Sequence, residues 1–250
     1  MDARRTAVCA ALWACAFMAP LGVGAQRLAG DGFLFGAPGA SLTLRLGYAQ
    51  PLAGSEVFAF SNEHLTLGRS DYAGGSVSGD FAFLVAERLA VQFSAGYSKR
   101  TMGSEFRDWV DNNDLPIEQT TEFSRVPVMV GLRYYLVSPG RSLGRLAWVP
   151  ARFAPYVSAG VGRVRYRFHQ SGDFVDYQTL DVFSSTLESS GWTTAGYGAV
   201  GLDYAMSAGV GLVSEARYDR AHARMSSDFE KFDRIDLSGL SATIGLSFRF

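Results

Sequence analysis

Apolar and polar residues alternate at period two for about ten residues at a time through most of this chain, between breaks rich in Gly, Asn, Asp or Ser. The clearest run is 240–250. Leu240, Ala242, Ile244, Leu246, Phe248 and Phe250 share one face, and Ser241, Thr243, Gly245, Ser247 and Arg249 share the other. Val126, Val128, Val130, Leu132 and Tyr134 likewise oppose Pro127, Met129, Gly131, Arg133 and Tyr135. Such a pattern is the signature of a transmembrane strand, and no stretch after residue 25 is apolar for long enough to cross a membrane as a helix.

Eight segments follow the rule, an even number as a single-chain barrel needs. Their connections alternate in length. Tight turns at 87–88 and 205–208 and a mid-length link at 138–151 lie on one side. Long polar loops at about 51–74, 103–122, 170–190 and 222–236 lie on the other. The expected fold is all-β: an eight-stranded antiparallel up-and-down transmembrane β-barrel over residues 40–250, with long loops outside and both termini in the periplasm. One strand resists the pattern. If Val164, Tyr166 and Phe168 face out and Arg163, Arg165 and Arg167 face in, Val157, Ala159 and Val161 have the wrong parity. That reading requires a bulge near Gly160 or Gly162, or a tightly packed lower interior.

A soluble sandwich also alternates, so the sorting of residue types must decide. Tyr48, Tyr97, Tyr166, Phe168, Trp192 and Tyr218 fall toward the long-loop ends. Tyr134, Tyr156, Tyr204, Phe248 and Phe250 fall toward the short-turn ends. Two aromatic girdles around an aliphatic waist match a bilayer with two interfaces. Charge sorts too. Arg45, Asp80, Arg133, Arg163, Arg165 and Arg167 oppose the aliphatic faces, as do Asp203, Glu215, Arg217, Asp219 and Arg249. Eight strands leave an interior just wide enough for side chains. These charges are therefore expected to pair in a polar lumen plug, since an unpaired buried charge is expensive.

The first residues read as an export signal: Arg4 and Arg5, an apolar run over 7–18, then Val23-Gly24-Ala25 before Gln26. This predicts a signal peptide over 1–25 and a periplasmic segment over 26–39. Both cysteines, Cys9 and Cys15, lie within the signal, so the exported chain holds no disulfide. A net charge of -1 gives no reason to expect a nucleic-acid partner.

The run 245–250, alternating and ending on Phe248 and Phe250, resembles the signal read by the outer-membrane barrel-assembly machinery. Pro155-Tyr156 and the Gly-rich stretch through Gly162 resemble the eight-stranded outer membrane protein beta-barrel domain family, the OmpA/OmpX-like and OmpW-like barrels. That resemblance implies outer-membrane location and assembly with periplasmic chaperones and the barrel-assembly machinery. It also implies contact with outer-membrane lipid and lipopolysaccharide, and a monomer. It implies no single activity. The last strand being the end of the chain leaves tethering to the cell wall unsupported.

No catalytic, cofactor or metal site stands out. His64, His169 and His222 are far apart in sequence and lack metal-ligand spacing. A lipid A hydrolase could be built from His222, Ser226, Ser227 and Glu230, but His222-Ala223-Arg224 breaks the His-x-Ser pattern such enzymes carry. Acidic residues at 111–114, 173 and 176 read as solvated turns. Trp109, Phe123, Phe174, Tyr177 and Phe183 suggest that the loops pack together or meet a partner. The expected role is envelope-structural or surface-loop interaction, without catalysis. A narrow channel is the alternative, because Gly47, Ala82, Ser94, Gly96, Gly131, Ala199, Gly211, Ser241 and Gly245 could leave lumen space.

Overall fold

The computed structural model describes residues 32–111, 114–144, 146–176, 179 and 181–250. The expected signal peptide, the first part of the 26–39 segment, and Tyr177 lie outside them.

Eight antiparallel strands form the barrel: β1 (Ala40–Pro51), β2 (Gly74–Ala86), β3 (Leu89–Val110), β4 (Pro116–Tyr135), β5 (Phe153–Val175), β6 (Val182–Ala205), β7 (Val210–Arg224) and β8 (Gly239–Arg249). Each pairs with the next, and β8 pairs with β1, so the sheet closes and leaves no open edge. Ladder partners can be followed once around, through Ser41, Ala82, Gln92, Gly131, Gly160, Tyr197, Asp219, Gly239 and Pro51. The path returns to β1 ten residues further along. At about 3.3 Å per residue and 4.8 Å between strands, that stagger tilts the strands by about 40°.

Strand parity then assigns the faces. Leu44, Leu46, Phe93, Leu132, Val161, Val200 and Ile244 point outward and are exposed, Leu46 to 67%. A continuous apolar girdle on this scale exceeds what a water-soluble monomer leaves bare. Among the described residues no helix is long and apolar enough to cross a membrane; the crossing is made by strands. Tyr48, Tyr97 and Tyr218 border the girdle toward the long loops, and Tyr134 and Phe250 border it at the other end.

β5 and β6 run for 23 and 24 residues, roughly twice what a bilayer needs. Much of the sequence expected to be loop is therefore strand. The β3–β4 turn is confined to 111–115 and the β5–β6 turn to 176–181. Above the bilayer the alternation continues with its polarity exchanged. The outer face carries Lys99, Glu122, Arg167 and Glu188, while Met102, Ile117, Phe123 and Phe168 turn inward.

This exchange corrects the expectation for β5. Its ladders with β4 and β6 are unbroken from Tyr156 to Gly172, so no bulge interrupts it. Val157 and Val161 face out, and the same parity carries Arg163, Arg165 and Arg167 to the outer wall. Val164, Tyr166 and Phe168 are buried inside. Tyr156 also lies inside, and with Tyr166 and Phe168 it leaves the expected girdles. What changes along β5 is the medium outside: lipid selects valine below, and water and headgroups select arginine above.

The other two long connections fold down into the barrel mouth. The first forms helix α1 (Glu56–His64) and a 3-10 turn (Arg69–Tyr72). The second forms a 3-10 turn (Ser227–Phe229) and a short strand (Arg234–Asp236) that pairs with upper β7. At the opposite end, Leu34–Phe35 adds to a hairpin of Gly140–Leu143 and Ala147–Pro150 within the mid-length link.

Candidate functional site

The lumen holds the concentrated chemistry of the molecule, in two layers. The lower layer lies at the height of the lipid-facing girdle. Arg45 on β1 pairs with Asp80 on β2, and its other terminal nitrogen lies 3.2 Å from Glu215 on β7. Arg133 on β4 reaches the same Asp80 oxygen at 3.1 Å. Tyr156 on β5 donates to Glu215 at 2.8 Å, and the Arg133 guanidinium lies 4.4 Å from the Tyr156 ring centre. Gln92 on β3 donates to the Tyr197 hydroxyl on β6 at 2.6 Å. Thr43 donates to Ser247 on β8 at 3.2 Å. All eight strands thus contribute to one buried polar layer in which two arginines face two carboxylates. Balanced pairing offsets a desolvation cost that either charge alone could not bear.

Glycines do not leave this layer open. A side chain at Gly131 or Gly160 would collide with Tyr197, and one at Gly201 with Tyr156. These glycines are the floors on which the two rings lie, and the rings take up the space that small residues provide. Above them Arg217 stacks 3.8 Å from the Tyr197 ring centre and pairs with Asp219 at 2.8 Å. Below, Arg249 pairs with Asp203 at 2.6 Å near the short-turn rim.

The upper layer is apolar. Phe58 of α1, wholly buried, meets Tyr72, Phe123 and Phe168 edge-on at 4.8, 5.6 and 5.8 Å. Phe229 from the last long connection packs on Phe168 at 5.5 Å. Burial pushes the Tyr72 phenol up to about 12. Between the layers lies a cavity of about 70 Å3 lined by Arg45, Ser94, Arg125, Arg217, Asp219 and Thr243 among others. Arg125 donates there to the Leu237 carbonyl at 2.7 Å.

Of the charges expected in the lumen, Arg45, Asp80, Arg133, Asp203, Glu215, Arg217, Asp219 and Arg249 lie there. Arg163, Arg165 and Arg167 do not. Tyr156 is the network member that sequence reasoning missed. Its parity with Ser158, opposite Val157 and Val161, was the available signal. Phe250 exchanges backbone hydrogen bonds with Ala40 at 3.0 and 2.9 Å, at the seam where β8 meets β1.

The residues considered for hydrolysis are dispersed. His222 lies on the outer wall 3.5 Å from Asp236, while the Ser226 hydroxyl donates to the Glu188 carbonyl at 2.7 Å. Among the described residues no group of three or more His, Cys, Asp or Glu is placed to hold a metal. Of the loop aromatics, Phe123 is buried in the mouth, Trp109 packs against that core, and Phe174 stacks on Phe183 at 6.1 Å.

No protein-family model and no curated protein matches the chain. Among solved structures it is similar to the outer membrane protein OprG of Pseudomonas aeruginosa, at 14% identity and a TM-score of 0.48, over 87% of this chain and 98% of that one. It is also similar to a major outer membrane protein of Thermus thermophilus, at 13% identity and a TM-score of 0.48, over 84% and 99%. Neisserial surface protein A gives 13% identity and a TM-score of 0.44, over 86% and 99%. On its own geometry the chain is an integral outer-membrane β-barrel: closed, even-numbered, up-and-down and lipid-girdled.

Proposed function

We propose that this barrel does not conduct. On this reading it serves the outer membrane by spanning it as a monomer, in contact with lipid and lipopolysaccharide, and by holding a rigid folded head above the bilayer. The observation that supports the reading is the pair of closures in series: the charged layer built from all eight strands, and the aromatic mouth sealed by α1 and Phe229. Neither is a loop tip that swings free. The channel alternative has one feature in its favour, the cavity between the closures, whose lining includes Arg45, Glu215, Arg217 and Asp219. Planar-bilayer recording separates the two. We expect silence, and a steady open state overturns the proposal in favour of a channel.

The role proposed is also non-catalytic. Ser226→Ala and His222→Ala should leave lipid A profiles unchanged, and an altered profile would restore the hydrolase. For biogenesis we infer that Phe248 and Phe250 are read by the barrel-assembly machinery. Deleting Phe250 should lower the heat-modifiable, folded form on a denaturing gel.

A further inference from the structure

The outer wall spanning β3 to β6 carries a groove of about 390 Å3. Phe93, Val128 and Val130 line it, Met129 and Gly162 contribute its floor, and Arg163 and Trp192 stand at its upper end. With strands tilted about 40°, each residue climbs about 2.5 Å along the barrel axis and each step to the next strand about 3 Å. On that scale Arg163 stands about 11 Å above Phe93 and within about 3 Å of the heights of Tyr48, Tyr97 and Arg220. The groove therefore descends from the aromatic interface along the aliphatic girdle, in the direction a lipid chain runs.

Its upper end is cationic and uncompensated. Arg163 and Arg165 have no carboxylate within 4.0 Å among the described residues. On the same wall, Lys99, at about the height of Arg165, pairs with Glu122, and Arg167, higher, pairs with Glu188, each at 2.8 Å. Those two cations are neutralised by carboxylates of the wall itself, whereas Arg163 and Arg165 are left for something else. The Trp192 ring lies 5.7 Å from Arg163 Cζ and walls the same end of the groove.

We propose that this groove is a lipid site: an acyl chain lies over Phe93, Val128 and Val130, and Arg163, with Arg165 above it, holds the phosphate of the same lipid's anionic headgroup. A guanidinium fork matches phosphate geometry, and a soluble anion has no use for the apolar groove beneath. The inference rests on the barrel's place in a bilayer. The two fail separately, because a chain that is not a membrane barrel shows no heat-modifiable form in membrane fractions.

The test is native mass spectrometry of the full barrel in mild detergent. The probes are phosphatidylglycerol and phosphatidylcholine of identical chains, and bisphosphorylated lipid A. Wild type should retain phosphatidylglycerol and lipid A over phosphatidylcholine. Arg163→Gln should cut that preference about fivefold. Arg220→Gln, at the same height but off the groove, should leave it intact. Val128→Trp, which fills the groove, should lower retention of both phospholipids. Each variant is first shown to be heat-modifiable. Should Arg163→Gln fail to assemble, Arg163→Lys carries the test, since it keeps the charge and loses the fork. Unchanged preference in the Arg163 variant overturns the proposal. So does complete displacement of lipid by millimolar inorganic phosphate, which would mark an anion site without a lipid.

Discussion

The lower and upper halves of this barrel are walled by the same strands yet packed by opposite rules. In the lower half the outside is aliphatic and the inside holds Arg45, Asp80, Arg133 and Glu215. In the upper half the outside carries paired charges and the inside holds Phe58, Phe123, Phe168 and Phe229. The lower half resembles a soluble protein turned inside out, and the upper half is built like an ordinary soluble domain. The core of each half answers to what lies outside it. Where lipid takes the apolar side chains, only polar ones remain for the lumen, and they must satisfy one another. Where water takes the polar ones, the hydrophobic effect drives the mouth closed from within.

Removing one charge from the lower layer puts the greatest strain on this division. Arg45→Ala leaves Asp80 and Glu215 facing a single arginine and should cost about 3–5 kcal/mol, read from denaturant unfolding in lipid vesicles. The double change of Arg45 and Asp80 to leucine should cost much less. A single change that proves as mild as the double would mean the layer is not held by pairing. Phe168→Ala probes the other half and should cost about 3 kcal/mol through its cavity. The loss should be local. Protease should reach 52–73 while the gel shift that reports the membrane barrel persists, and joint loss of both would make the halves one cooperative unit.

A smaller effect is expected at Gly131→Val, about 1–3 kcal/mol, because the added methyls displace the Tyr197 ring. Tyr72 tests the upper half through pH. Its phenol is raised, so folding favours the neutral form. Its contribution should be whole below the ordinary phenol value near pH 10 and fall as pH rises through about 12. Absorbance titration should show ordinary ionisation in Phe58→Ala if that packing is what excludes water. Smallest of all, Arg167→Ala should cost under about 1 kcal/mol, since the Arg167–Glu188 pair is half-exposed on the outer wall.

The same two rules explain which residues are legible in the sequence. The even-position face of 240–250 can be read directly because β8 stays within the membrane span, where one rule applies from end to end. β5 defeats such a reading because its 23 residues cross from lipid into water, and apolar means outward only along the first part. Carried too far, that single rule assigns Tyr166 and Phe168 to a girdle and Arg163 and Arg165 to the lumen. The stretches 103–110 and 170–175 look like loops because polar residues dominate them, yet both lie within strands, the first with a register shift between Glu105 and Val110 and with Ser104 and Gln170 turned inward.

Sequence pattern alone was enough for the closed eight-stranded architecture and the side of the wall that most charges take, but not for the connection lengths, since 111–115 and 176–181 are shorter than the 136–152 link on the opposite side. Period two is a local property, and backbone geometry alone converts it into faces. Which medium each face meets at each height was settled only in three dimensions, and with it the placing of three arginines outside. The same holds for Tyr156 and Tyr197, which lie over glycines to fill the lumen, and for α1, which seals the mouth. Those outcomes depend on the stagger of ten residues around the ring and on contacts between segments far apart in the chain, which no local pattern records.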